Sequence, residues 1–314
     1  MYSYENFAKV KEELDKKRNE ALRESENRSF KLRMESDEIR AIDEELSGTG
    51  FALFRAACKK EDITPIKNRN IELQKKKRAL IKALGYPEDY AEVKYSCKSC
   101  SDTGYTATGA MCSCFREALI KATVISSGMG NLIEKQSFEN FDLSGLDEKS
   151  LEIMKRTLAM AKDFACNFDK RREGLLLMGT TGTGKTHVST AIAKVVIEKG
   201  YDVIYDSIQN IMNDYENDKF KSDYGQKDFH IEKYTECDLL IIDDLGTEFS
   251  TPFTLSCIYN LLNTRQNRGL PTIISTNLSA DELAKKYEDR IYSRIIGRDS
   301  KILFFKGKDK RIHI

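Results

Sequence analysis

The stretch LLLMGTTGTGKT, residues 175–186, leaves the chain little freedom in what it can fold into. Leu175 to Met178 form an unbroken apolar run suited to a strand covered on both faces. Gly179, four further residues and Gly184-Lys185-Thr186 then match the phosphate-binding pattern G-x-x-x-x-G-K-[ST] at every fixed position. Glycines at 179, 182 and 184 let the backbone turn its N–H groups toward an anion with no Cβ in the way. A helix opening near Lys185 adds its N-terminal partial charge to the same place. Gly179, Thr180, Thr181, Gly182, Thr183, Gly184, Lys185 and Thr186 are therefore the expected nucleotide-binding residues. Lys185 reaches the β- and γ-phosphates of ATP in this reading, and the Thr186 hydroxyl ligates Mg²⁺. A glycine-rich turn that binds nothing is the plainer alternative.

Three later segments add chemistry. Cys237 to Gly246, CDLLIIDDLG, reads as an apolar strand ending in acid. Asp243 at its tip can hold Mg²⁺ through water, and Asp244 can orient or deprotonate an attacking water. An N-cap or turn pair is the alternative. A helix from about Thr254 to Arg268 ends at Gly269, and Pro271 to Asn277 reads as a second buried strand with a polar amide at its tip. Asn277 can hold the nucleophilic water or the γ-phosphate, or it can cap the following helix. In Glu288 to Arg294, Arg290 and Arg294 lie four apart on one helical face. They can form surface ion pairs, or one can reach a neighbouring subunit's ATP as an arginine finger.

Before the phosphate loop the chain has a different character. From Phe7 to about Leu46 it is dense in Lys, Glu and Arg with apolar residues at helical spacing, and Gly48-Thr49-Gly50 breaks the pattern. Another helix runs from about Pro65 to Leu84 and stops at Gly85. Cys97-x-x-Cys100 and Cys112-x-Cys114 follow, separated by a turn-rich loop. Four thiolates in two close pairs can surround one tetrahedral Zn²⁺; free thiols and redox chemistry are the other readings. Cys58, Cys166, Cys237 and Cys257 sit in apolar or helical surroundings and are expected to be buried. A helix to about Ser126 and a linker at Ser127-Gly128-Met129-Gly130 place a domain boundary near residue 136. A helix from Leu151 to Phe168 leads into the phosphate-loop strand, another reaches Lys199, and Tyr201 to Tyr205 reads as a strand. The fold class expected is α/β, a parallel sheet flanked by helices and preceded by a smaller, mainly helical domain bearing the cysteine cluster.

The formal net charge is +1, so nucleic-acid contact has to come from a local patch. No apolar run approaches a membrane span, and the first residues are charged with no apolar core. The chain reads as cytoplasmic, with no membrane partner.

Together, the phosphate loop, Asp243-Asp244, the strand ending in Asn277, the D-R-I-Y-S-R segment and the terminal F-x-G-x-D-x-R resemble the AAA+ ATPase domain of DnaC/DnaI-type helicase loaders. The resemblance runs from about Ser137 to the end of the chain, and IstB-type transposition helper ATPases share this core. It implies that Asn277 is sensor 1, Arg294 the arginine finger, Arg290 its accompanying arginine and Arg311 the sensor 2 arginine. It implies that Phe138 to Asp142 lie near the adenine and that Thr251 and Phe253 contact single-stranded DNA. It further implies a domain of residues 1–136 that holds a hexameric replicative helicase of the DnaB type, an AAA+ domain of residues 137–314, and self-assembly through AAA+ interfaces. ATP, Mg²⁺ and Zn²⁺ are the cofactors expected. Asp244 departs from the glutamate of most AAA+ proteins, so slow hydrolysis is expected. An IstB-like transposition helper and a nucleotide-gated protein adaptor without DNA contact are the other functions considered.

Overall fold

Helical and alternating apolar patterns separate in space as well as along the chain. The computed structural model describes residues 2–59, 62–170, 173–222, 231–298, 300–307 and 309. Its contacts divide the chain into two compact units, Lys11–Phe115 and Met1–Val10 with Arg116–Ile314.

The first unit is built on α1 (Tyr4–Glu35), α2 (Asp37–Lys59) and α3 (Thr64–Ala83). The turn between α1 and α2 falls at Ser36, whose Oγ accepts from Ile39 N at 3.2 Å. The break expected at Gly48-Thr49-Gly50 does not occur, and α2 continues through it. Each helical glycine costs about 1 kcal/mol. Contacts with α3 offset this: Asn70 Nδ2 donates to Thr49 Oγ1 at 2.8 Å, and Arg69 Nε pairs with Glu45 at 2.7 Å. Leu32, Ile39 and Ile81 form the small core.

α4 (Ser113–Ser126) and α5 (Leu132–Lys135) lead into the second unit. The division of the chain falls between Phe115 and Arg116, about twenty residues before the boundary read from sequence. The cause is that residues 127–130 are not a linker. Ser127 and Met129 are buried, Ser127 O accepts from Tyr205 N at 2.7 Å, and Met129 and Ile133 join the large core.

Among the described residues of that unit, β1 (Gly174–Met178), β2 (Val203–Ser207), β3 (Leu239–Leu245), β4 (Thr272–Thr276) and β5 (Ser300–Phe304) form one parallel sheet in the order β2-β3-β4-β1-β5. Alternation along β1 feeds both faces. Leu175 and Leu177 enter a core with α6 (Glu148–Cys166) and α7 (Lys185–Glu198), while Leu176 and Met178 point to the opposite side. That side is covered by α8 (Ile208–Ser222), α9 (Glu232–Glu236), α10 (Pro252–Arg268), α11 (Ala280–Lys286) and α12 (Asp289–Ile296). Arg265 of α10 is fully buried and donates to the carbonyls of Tyr234, Cys237 and Pro271 at 2.9, 2.9 and 2.7 Å. Of the four cysteines expected inside, Cys237 and Cys257 are buried, whereas Cys58 and Cys166 are exposed. Both exposed thiols lie in the last turn of an amphipathic helix, where apolar neighbours in sequence do not fix the face.

At the N-terminal edge of the sheet, Asp202 N donates to Asp238 Oδ2 at 2.9 Å, bringing two carboxylates together. Burial, then the charge of Asp238, pushes the Asp202 carboxyl up to about 6. A carboxyl raised on folding keeps its proton longer in the native state, so its contribution to stability is full below pH 4 and is lost as pH rises to about 6. Asp202→Asn is expected to remove that loss and to raise stability above pH 6 by about 1–2 kcal/mol. Urea midpoints of both proteins at pH 4.5 and 7.5 check this; an equal difference at the two pH values contradicts it.

Candidate nucleotide-binding site

In a parallel sheet the loops that carry function leave the carboxyl ends of the strands. The strand order puts the ends of β1, β4 and β3 side by side, so residues far apart in sequence meet there. Gly184, at φ +96, opens α7; a Cβ on it would meet the Phe141 ring at 2.6 Å, so Phe141 closes over the loop. Thr183 Oγ1 donates to Thr180 O at 2.7 Å and braces the turn.

Lys185 is 6% exposed, and its Nζ donates to Gly179 O, Thr180 O and Asn277 Oδ1 at 2.7, 2.9 and 2.6 Å. With its oxygen on the lysine, the Asn277 amide turns Nδ2 toward Asp244 Oδ1, 3.4 Å away. The loop after β1, the tip of β4 and the tip of β3 are thus joined through one side chain. Asn277 does not cap the helix that follows; Ser279 does, in a capping box with Glu282.

The two aspartates have separate environments. A register shift between Ile242 and Leu245, with Asp244 at φ +55, turns Asp244 outward and leaves Asp243 buried. Aspartate tolerates this left-handed conformation better than most residues. Asp243 accepts hydrogen bonds from Tyr205 OH and Ser275 Oγ, and Thr186 Oγ1 lies 3.3 Å away. Burial and the Asp243 charge hold the Tyr205 phenol above its ordinary value, so it stays a donor. Ser275 Oγ also accepts from Asp244 N at 3.0 Å. Tyr205 and Ser275 were not singled out from sequence, because a tyrosine and a serine in apolar strands carry no motif.

A cavity of about 380 Å³ lies over these groups, lined by Thr181, Gly182, Gly184, Lys185, Thr186, Asp244 and Asn277, and continues to Leu132, Gln136 and His187. His187 Nε2 lies 2.8 Å from Ser137 O and 3.0 Å from Asn140 Oδ1, and the ring meets Phe141 edge to face. This ties the segment from Phe138 to Asp142 to the cavity wall. Thr186 and Asp243 are disposed to hold Mg²⁺, with one hydroxyl and one carboxylate converging.

Arg290 and Arg294 do not line this cavity. Arg290 Nε pairs with Glu288 at 2.8 Å and its guanidinium lies over Tyr259. Arg294 Nη1 donates to Gln266 Oε1 at 3.2 Å, and Gln266 Nε2 donates back to Arg294 O at 2.8 Å. Arg311 falls outside the described residues. Thr251 caps α10, its Oγ1 accepting from Thr254 N at 3.1 Å, and Phe253 packs partly on the core. Beside them Phe249 is 89% exposed. Its loop is pinned by the buried Glu248, which accepts from Gly246 N at 2.8 Å and Tyr287 OH at 2.6 Å and pairs with Lys286 at 3.2 Å. An exposed aromatic on a rigid loop has no sequence signal beyond its neighbours.

In the other unit the sulfurs of Cys97, Cys100, Cys112 and Cys114 lie within 4.8 Å of one another. Asp102, 1% exposed, accepts from Ser96 N and Cys97 N at 2.8 and 2.7 Å and shapes the first pair. A short hairpin with a bridge between Tyr105 and Met111 brings in the second pair. Gly104, at φ +83, lets the chain pass Phe115, whose ring would sit 2.9 Å from an added Cβ. Hydrogen bonding from the Cys100 backbone lowers the Cys97 thiol to about 7, while burial raises Cys114. Four sulfurs this close repel when ionised, and a divalent cation removes the conflict. The donor set therefore fits tetrahedral zinc.

The family described as IstB-like ATP binding protein matches residues 123–300. The phage-like element PBSX protein XkdC of Bacillus subtilis is 27% identical over 237 residues, covering 70% of this chain and 86% of its own. The replicative helicase loader DnaC of Escherichia coli is 24% identical over 190 residues, covering 60% and 75%. The crystal structure of the DnaC helicase loader superposes with a TM-score of 0.48 at 22% identity, covering 55% of this chain and 98% of that one. No helix among the described residues is long and apolar enough to cross a membrane. With the match extending over more than half of its length and containing the phosphate loop, Asp243, Asp244 and Asn277, the chain belongs to the IstB-like ATP-binding family.

Proposed function

We propose that this protein is an ATP-dependent loader that binds a hexameric replicative helicase of the DnaB type and delivers it to single-stranded DNA, with ATP binding and hydrolysis as the switch. The observation that carries the proposal is the similarity to the replicative helicase loader DnaC over 75% of that protein's length. The site supports the switch: Asn277 connects the phosphate-binding Lys185 with Asp244, so loss of a γ-phosphate is felt at both. Thr186 and Asp243 hold Mg²⁺, which draws charge from the phosphates when bound. Asp244 positions and deprotonates the attacking water, and its short side chain makes hydrolysis slow.

The unit Lys11–Phe115 serves as the helicase-binding domain, and the unit that carries the parallel sheet serves as the AAA+ domain. The four cysteines hold a structural zinc. Arg294 acts on the ATP of a neighbouring subunit, with Arg290 beside it and Arg311 as sensor 2. Single-stranded DNA passes the loop before α10, where Thr251 and Phe253 lie and Phe249 offers a face for stacking.

Co-elution of the full-length protein with the cognate helicase, in ATP and in ADP, tests the proposal. A complex that forms in one nucleotide state and weakens in the other is expected. No association in either state removes the loader reading and favours a transposition helper.

A further inference from the structure

We infer that Gln136 reads the base of the bound nucleotide, accepting a hydrogen bond from the exocyclic amine of adenine. The inference rests on the chain being an ATP-binding protein and concerns how it tells ATP from other triphosphates.

The lining of the cavity has two chemically distinct parts. Gly182, Gly184, Lys185 and Thr186 make an anion site, whereas Leu132, Gln136 and His187 bring an aliphatic side chain, a carboxamide and an imidazole to the lining. A nucleotide with its phosphates on the first places its base toward the second. Gln136 Oε1 is buried and has no hydrogen-bond partner, although a buried polar atom nearly always has one. Such an orphan costs about 1–3 kcal/mol, and the terminal carboxamide torsion is broad, so turning Oε1 from the wall to a donor on a bound base is favoured by that need.

The surrounding backbone is fixed. Gln136 N donates to Leu132 O at 2.9 Å, Asn140 Nδ2 donates to Lys135 O at 2.7 Å, and Asn140 Oδ1 accepts from Ser137 N at 2.8 Å. His187 holds Ser137 O and Asn140 from the α7 side. A carboxamide suits adenine, since its oxygen accepts from N6 while its nitrogen can donate to N7. Guanine and hypoxanthine present a keto oxygen at the same position, which leaves Oε1 facing an acceptor. Sites that hydrogen-bond a donor discriminate strongly against analogues lacking it.

The test is competition of ATP, ITP and GTP against a fluorescent N-methylanthraniloyl ATP on the full-length protein. Wild type is expected to bind ATP at least about tenfold tighter than ITP and GTP. Gln136→Leu should lose most of that ratio by weakening ATP alone, with ITP affinity retained as the sign that the variant is folded. Gln136→Glu keeps an acceptor, so it should weaken all three nucleotides yet preserve the amino-over-keto preference. A ratio near one in wild type, a preference for ITP or GTP, or an unchanged ratio in Gln136→Leu overturns the inference while leaving ATP binding standing. Wild type that binds no nucleotide removes the ATP reading and this inference with it.

Discussion

Lys185→Ala is expected to weaken ATP binding by roughly two orders of magnitude or more and to abolish hydrolysis. Lys185 is 6% exposed and its ammonium is held against Gly179 O, Thr180 O and Asn277 Oδ1, so its charge is fixed beside the helix N-terminus rather than left in water. Charge-assisted contacts to phosphate in such a site are worth about 3–5 kcal/mol, and about 1.4 kcal/mol is tenfold in affinity. The same substitution leaves Asn277 without its lysine donor, so the amide is freed to rotate away from Asp244. Calorimetric titration with ATP and with ADP separates the two effects: both nucleotides weaken, ATP more than ADP. Equal, unweakened binding of ATP by the variant would exclude the assignment of Lys185 to the phosphates.

Removal of zinc is expected to unfold the segment from Cys97 to Cys114 while ATP binding persists. That segment has little apolar burial of its own beyond Cys100, Cys112 and the ring of Phe115. A structural zinc supplies on the order of 10 kcal/mol, far more than so small a cluster can. Metal analysis should give one zinc per chain, and a chelator should open the hairpin around Gly109 to limited proteolysis. Cys100→Ser should do the same without chelator. Zinc affinity should fall steadily as pH is lowered, because protons compete with the metal for all four thiolates. A full-length protein that carries no metal and keeps a protease-resistant hairpin would refute the zinc assignment.

Sequence alone picked out residues that the fold brings together at one cavity. The phosphate loop, the acid-tipped strand and Asn277 were legible because phosphate and Mg²⁺ chemistry demands fixed residue types at fixed spacing. What escaped depends on contacts between segments remote in sequence. Tyr205 and Ser275 reach Asp243 because β2 and β4 flank β3, a fact of strand order that periodicity does not carry. Gly48 to Gly50 read as a breaker by propensity, but α3 decides the matter. Ser127 to Gly130 read as a linker by composition, yet Met129 is a core residue. Arg265 looks like a surface cation at the end of an amphipathic helix; only the three carbonyls converging on it explain its burial.

The kink at the end of β3 divides labour between adjacent residues. Asp243 is built into three strands and cannot change without disturbing the sheet, whereas Asp244 stands clear of the core with its backbone already turned outward. The proposed roles of metal holding and water activation therefore fall to parts of unequal replaceability. On the proposed reading, a timer whose rate-setting part stands outside its frame can be reset by a single substitution that leaves the frame as it is.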